Sequence, residues 1–282
     1  MFCMDAMLYK GQFANLALNE FIHHYEVVRF VFGRDMPPPV KYHTPRPEQS
    51  LTFYPREAQR FSYTNSNEII TYPRSIVNGV HTTPTYRYGG HDFLAIRVVF
   101  QPGALFRLTG IPSGELTNTF VDAEAIWPNG IRPVLERLDS TDVLTDMLTI
   151  IEACLVGLVC SHCKRPHAVD TISRLIVEQQ HHLSLDQLAD QSCLSIRQFI
   201  RKFDERIGLS PKQFERIARF DKAYRMRNKY PSLDWLSVAI ACGYYDHQHF
   251  AKDCKELTYL SPISFFAQNQ KAPEFVLGLH GE

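Results

Sequence analysis

Arg197 and Arg201 stand four residues apart in the run SIRQFIRKFDERI, so on a helix their guanidiniums lie on one face. Ile196, Phe199, Phe203 and Ile207 recur at helical spacing and are expected to turn inward, leaving Arg197, Ile200 and Arg201 outside. A guanidinium can donate two parallel hydrogen bonds to a guanine edge, and an apolar tip such as Ile200 can only touch a thymine methyl. About fifty residues later the run DHQHFAKDCKEL places His247, Gln248 and Lys252 outside and Phe250 inside. Glutamine matches an adenine edge and lysine a guanine edge. The chain has no nucleophile elbow, phosphate loop or zinc-protease motif. No catalytic residue, metal or cofactor is therefore expected, and the chemistry on offer is binding rather than catalysis.

The elements that must hold these side chains occur twice. LADQSCLSIRQFIRKFDERIGLSPKQF from Leu188 matches VAIACGYYDHQHFAKDCKELTYLSPISF from Val238, with Ser195 on Asp246, Phe199 on Phe250 and Arg201 on Lys252. The offset is 50 before the turn and 51 after it, so the second copy carries one extra residue there. Each copy reads as a short helix, a tight turn and a second helix, spanning 195–207 in the first and 246–256 in the second. In the short helices Leu185, Leu188 and Ala189, and then Leu236, Ala239 and Ile240, are expected to face inward. Ser195, Asp234 and Asp246 are suited to cap helix starts. Gly208 suits a helix stop and Gly243 a positive φ. Two short helices joined in this way, the second with a basic outer face, describe a helix-turn-helix that seats its second helix in the DNA major groove. Between the copies, Ser210, Pro211 and Gln213 form a capping-box start for a long joining helix.

Charge follows the same division. From Ser195 to Tyr230 there are eleven basic and four acidic residues, a segment of +7 in a chain whose net charge is zero. Such asymmetry is an electrostatic footprint for phosphate when it lies between two such units. With 45% apolar and 21% charged residues the composition is that of a soluble globular protein. Seven irregularly spaced cysteines argue against a disulfide framework and for a reducing, cytoplasmic setting. No secretory signal is legible. The most apolar window, Val143 to Val159, carries Asp146 and Glu152 and reads as too short to span a bilayer.

The first half has a different period. FANLALNEFIHH suggests a short amphipathic helix through Phe13, Leu16, Ala17 and Phe21, and YEVVRFVF a strand. Pro37, Pro38 and Pro39 mark a loop. SLTFY, EIITY, SIVNGV and FLAIRVVF are short strands separated by turn residues, which suggests a sandwich or small barrel. The period then changes to helical. Leu144, Met147, Leu148, Ile151, Leu155 and Leu158 form one stripe, with Thr141 or Asp142 as cap. Ile150, Val156 and Val159 widen the stripe, so this helix is expected to be buried on several sides, in a core or a homodimer interface. SHCKRPHAVD is polar and marks a boundary.

The duplicated unit, from Ser184 to about Phe266, resembles the DNA-binding domain of the AraC/XylS family of bacterial transcription regulators. That resemblance implies a seven-helix, two-lobed domain with its recognition helices in successive major grooves. It implies base contacts by Arg197, Ile200, Arg201, His247, Gln248 and Lys252. Phosphate contacts are expected from Ser195, Lys202, Lys212, Arg216, Arg219 and Lys255. Lys252 stands where arginine is more usual and Cys254 where an inward phenylalanine is common, so the second lobe is expected to pack less fully and to anchor less strongly. IRVVFQPGALFRLTG and FVDAEAIWPNGIRPVLERL are similar to the N-terminal domains of an AraC-like subgroup with little-characterised effectors.

The expected architecture is α+β. A β-rich sensor-like domain covers 1–140, a helix and linker with a possible dimerising role 141–167, the double helix-turn-helix domain 168–270, and a tail 271–282. Expected partners are promoter DNA, RNA polymerase, a small-molecule effector and a second copy of the chain, with no membrane. Cys160, His162, Cys163 and His167 have ligand chemistry for zinc but not a finger's arrangement, so metal binding, redox sensing and a plain linker stay open. The scattered His23, His24, His43, His81 and His91 would need to converge for the alternative, a cupin-like metal-dependent enzyme or ligand-binding protein whose C-terminal half serves assembly. Arg97, Arg107 and the pair Tyr86 and Tyr88 are candidates for an effector pocket.

Overall fold

In a computed structural model, the structure describes residues 3–11, 15–35, 37–38, 40–178, 183–277 and 279. The chain is α+β, with two antiparallel sheets in the first half and helices in the second. The first sheet has the order β1 (Cys3–Gly11), β2 (Ile22–Phe32), β9 (Asp92–Phe100), β4 (Ser50–Phe53), β7 (Ser75–Asn78), β10 (Phe120–Asp122). The second runs β3 (Val40–His43), β8 (Thr85–Tyr88), β5 (Arg60–Tyr63), β6 (Ile70–Thr71). Of the expected N-terminal helix, 13–24, only Leu16–Leu18 form a 3-10 turn, and its last residues from Ile22 on already belong to strand β2. Phe13 and Pro39 lie outside the described residues.

Side-chain alternation gives the first sheet two apolar faces. Its outer face, with Val27, Leu51, Phe53, Ile96 and Val98, packs under α1 (Ala104–Thr109), α2 (Ala123–Ile126), α3 (Pro128–Asp139) and α4 (Leu144–His162). Its inner face, with Phe30, Phe32 and Phe93, meets Phe61 of the second sheet.

Helix α4 differs from expectation in three ways. Its N-cap is Val143, without a side-chain cap, because Asp142 is taken by Arg56 at 2.5 Å and the Thr141 hydroxyl accepts from Val143 N–H. It is buried on one side only. Met147, Leu148, Ile151, Leu155 and Leu158 enter the core, while Thr149, Ala153 and Gly157 face out. It is also longer than its apolar window, and Leu144–Ser161 has the length and composition of a membrane span. Its apolar stripe is nonetheless spent on the outer face of the first sheet, where the Tyr25 hydroxyl donates to Glu152 at 3.4 Å.

Seven helices run from 168 to 269 among the described residues: α5 (Ala168–Glu178), α6 (Leu185–Gln191), α7 (Ile196–Ile207), α8 (Pro211–Lys229), α9 (Trp235–Ala241), α10 (His247–Thr258) and α11 (Pro262–Asn269). A short α12 (Pro273–Val276) follows. Helix α8, about 28 Å long at 1.5 Å per residue, joins the lobes. Phe214 packs on Phe203 of the first lobe, and Phe220 packs on Phe250 and Phe265 of the second.

Candidate nucleic-acid interface

Local chemistry builds the two recognition helices. Ser195 starts α7 with a full capping box: its hydroxyl accepts from Gln198 N–H while Gln198 Oε1 accepts from Ser195 N–H. Ser184 and Gln187 do the same for α6, and Ser210 and Gln213 for α8. Asp234 caps α9, and Asp246 caps α10 by accepting from His249 N–H at 2.7 Å. Gly208 ends α7 at φ +89°, where a Cβ would lie 2.6 Å from the Ser113 carbonyl oxygen. A side chain there would force apart the N-terminal half and α7. The turn of the second lobe has Gly243 at φ +83°, and the matching place in the first lobe holds Cys193 at φ +53°.

All six side chains with base-edge chemistry are exposed: Arg197, Ile200 and Arg201 on α7, and His247, Gln248 and Lys252 on α10. Lys212, Lys255 and Ser195 are exposed as well, and Lys202 is half-buried against Glu205 at 2.7 Å. Opposite these faces Phe199, Phe203 and Phe250 are buried, and so is Cys254, whose thiol burial pushes up to about 11. Some inward assignments do not hold. Ile196, Leu236 and Ile240 are 41%, 52% and 54% exposed, and Leu185 is exposed too. The short helices α6 and α9 bury only Leu188 and Ala189, and Val238 and Ala239.

The basic segment is not uniformly a surface. Arg206 is buried and makes a bidentate pair with Asp170, both bonds at 2.6 Å, with its guanidinium over the Phe106 ring. Arg216 pairs with Asp253 at 2.7 Å and with Glu256, and Arg219 reaches Asp253 at 3.4 Å. These two arginines tie α8 to α10. Arg225 pairs with Asp221 at 2.7 Å and with Glu48 of the N-terminal half at 2.5 Å. The +7 of the segment therefore overstates the charge free to meet phosphate.

The N-terminal half grips the far ends of both recognition helices. Carbonyl oxygens at a helix C-terminus lack intrahelical partners. On α7 the Ser113 hydroxyl donates to the Arg206 carbonyl at 2.8 Å, Gln49 Nε2 to that of Ile207 at 3.4 Å, and the Thr117 hydroxyl to that of Gly208 at 2.7 Å. On α10 the buried Tyr42 hydroxyl donates to the Thr258 carbonyl at 2.6 Å, and burial raises this phenol's pKa. At the N-terminal ends Ser195, Arg197 and Gln198, and His247, Gln248 and His249, are exposed.

The other candidates separate. Arg97 lies between the two sheets and donates to Glu26 and Glu48, each at 2.9 Å. Burial opposes ionisation of Glu26, but Arg97, the His24 ring and Arg46 outweigh it and hold the carboxyl well below its usual range. Arg107 is away from that space, beneath the linker, donating to Glu20 at 2.8 Å and stacked on Phe21. Tyr86 packs on Tyr42, and the Tyr88 hydroxyl meets that of Ser62 at 3.2 Å, so neither lines the space between the sheets. Burial, followed by nearby arginines, keeps His43 and His81 neutral, with His81 depressed to about 3. The described residues contain no group of three or more His, Cys, Asp or Glu that could hold a metal. In the linker Cys160 and Cys163 are exposed, and His167 accepts from Val169 N–H at the start of α5. The side chain of His162 lies outside the described residues.

Two family models match. One described as a helix-turn-helix domain covers residues 188–268, and one described as a domain of unknown function (DUF6597) covers residues 14–122. An uncharacterized HTH-type transcriptional regulator of Haemophilus influenzae is 30% identical over 160 residues, which is 56% of this chain and 53% of that protein. The HTH-type transcriptional regulator MtrA of Neisseria gonorrhoeae is 29% identical over 91 residues, 32% of this chain and 30% of that one. The matched stretch thus spans about half of the first relative and about a third of the second. Among solved structures, an apo variant of ToxT from Vibrio cholerae has a similar fold, with a TM-score of 0.50 at 9% identity, covering 86% of this chain and 97% of that one.

Proposed function

We propose that this protein, whose residues 188–268 are a helix-turn-helix domain of the AraC/XylS type, is a sequence-specific DNA-binding transcription regulator. The single observation that carries the reading is the repeated geometry of α7 and α10. Both are capped at the N-terminus, both expose three side chains suited to base edges, and both are held at the C-terminus by the N-terminal half. Arg197, Ile200 and Arg201 read one groove segment, and His247, Gln248 and Lys252 read the next. Ser195, Lys202, Lys212 and Lys255 contact phosphates. Arg216 and Arg219 act there only after or alongside their pairs with Asp253. The N-terminal half senses a small effector, and RNA polymerase is the partner through which binding becomes regulation.

The test is selection of bound sequences from a random duplex pool by the purified chain, followed by footprinting. The expected result is one enriched site covering two adjacent major-groove segments, with affinity falling steeply as salt rises. Recovery of unrelated sequences with equal affinity, at every salt concentration tried, would overturn the reading.

A further inference from the structure

Between the two sheets lies a cavity of about 90 Å³. That is several times the roughly 10–15 Å³ one water needs, so it accepts a single ring or a short chain. One wall is apolar, formed by Val28, Phe30, Phe32, Phe93 and Ala95. The lining also carries four cations: Lys41 and Arg87 from the second sheet, Arg97 from β9 beside Ala95, and Arg46. Three of these cations are matched. Lys41 pairs with Glu274, Arg97 with Glu26 and Glu48, and Arg46 lies 3.6 Å from Glu26 and 3.9 Å from Asp221. Arg87 is not matched. Among the described residues it forms no ion pair with Asp or Glu, and its Nε is shielded from solvent without a hydrogen-bond partner.

Strand register explains how Arg87 comes to point here. In β8 it sits opposite Lys41 of β3 on one side and Phe61 of β5 on the other, all on the inner face, while its neighbours Tyr86 and Tyr88 turn outward. Desolvation lowers its pKa first, the phenols of Tyr72 and Tyr54 offset this in part, and the guanidiniums of Arg97 and Arg46 lower it a little further. The Arg87 side chain is half-buried with its Nε shielded, and a partly desolvated guanidinium without a counter-charge carries a cost for the fold. Such a cost persists where a ligand relieves it.

We propose that this cavity binds a small organic carboxylate, with the acid group on the Arg87 guanidinium and the ring or chain against Phe30, Phe32 and Phe93. The assignment rests on the sensing role given above to the N-terminal half, and it names the ligand class for that role. A carboxylate would accept from the two-pronged donor edge of Arg87, and Gln59, already held by the Tyr54 hydroxyl at 2.9 Å, stands at the same wall. Strand β3 then links the cavity to the second recognition helix. Lys41 and His43 face the cavity, and Tyr42 between them holds the Thr258 carbonyl of α10.

The experiment uses the full chain without DNA, so its outcome is independent of whether a selected operator exists. Benzoate and hexanoate are titrated calorimetrically and in thermal melts, with benzyl alcohol and hexanol as neutral counterparts. The expected result is saturable binding of at least one acid and of neither alcohol. Arg87→Met should weaken that binding about 10–100-fold, the worth of a charged hydrogen-bonded contact, while melting at the same temperature as wild type or higher when ligand-free. Arg87→Lys should retain part of the binding. The proposal is overturned if neither acid binds, if the acid binds Arg87→Met as well as wild type, or if ligand-free Arg87→Met melts lower or fails to fold, because Arg87 would then be a structural group.

Discussion

The two lobes share a plan and differ in how they are held. The first lobe is locked from several sides. Arg206, at the end of α7, is buried on Asp170 of α5, and three side chains of the N-terminal half hold the last carbonyls of α7. The second lobe meets the N-terminal half at the end of α10 through Tyr42, and Arg216 and Arg219 tie that helix to α8. Its turn also carries the extra residue of the repeat. Leu194 N–H and Tyr244 N–H occupy matching places, donating to Ala189 and Ala239, so the addition is Tyr245, which is 88% exposed beside the cap of α10. Duplication of sequence has therefore not produced equal lobes. The first is fixed relative to the N-terminal half, and the second hangs on fewer groups, one of which shares a strand with the cavity wall.

The strongest way to break this contrast is Asp170→Ala. It leaves Arg206 buried without its partner, for which about 3–5 kcal/mol of stability is the expected loss. Chemical denaturation should show it as a large drop in midpoint, and a loss below about 1 kcal/mol would mean that Asp170 is not what locks the first lobe. Next come the reading faces. Arg201→Ala and Lys252→Ala should each cost about 1–3 kcal/mol of specific binding, the larger loss falling on Arg201. Gel shifts on the selected site and on a scrambled duplex measure both. An equal loss on the two duplexes would make the residue a phosphate contact, and a larger loss at Lys252 would reverse the ranking of the lobes. Smaller still is Tyr42→Phe, which removes one hydrogen bond worth about 1 kcal/mol. Amide exchange should speed up in α10 and stay unchanged in α7, and matching changes in both helices would show that the grip is shared rather than separate.

Much of the DNA-binding half is legible in the chain because its signals are local. The caps Ser195, Ser210, Asp234 and Asp246, the stop at Gly208 and the positive φ at Gly243 each depend on a few neighbouring residues. What escapes is long-range. Arg206, Arg216 and Arg225 count as free charge in a sequence, but their acids Asp170, Asp253 and Glu48 are 36, 37 and 177 residues away. Helices of seven residues, such as α6 and α9, have too few turns for spacing to define a face, so Leu236 and Ile240 are misassigned inward. The same limit hides the cavity between the sheets. Tyr86 and Tyr88 draw attention as ligand-binding types, yet strand alternation turns them both away and Arg87 inward. The period-two signal was present in TYRY, but four residues do not say which face is the inside.

The smallest predicted effect is also the most direct comparison of the two turns. Both need a residue in the left-handed region, and the second lobe supplies glycine where the first supplies Cys193. A side chain in that region costs roughly 1–2 kcal/mol. Glycine removes that strain but gives back about 0.4–1 kcal/mol through the freedom of the unfolded chain. Cys193→Gly should therefore stabilise the protein slightly, by about 0.5 kcal/mol, while Gly243→Ala should destabilise it by about as much or more. Opposite signs in paired denaturation curves would show that the two turns adopt the same backbone and that the first lobe tolerates strain which its firmer anchoring offsets. Destabilisation by Cys193→Gly would instead mean that the exposed Cys193 side chain makes a contribution the second lobe lacks, and the lobes would then differ in the turn itself as well as in how they are held.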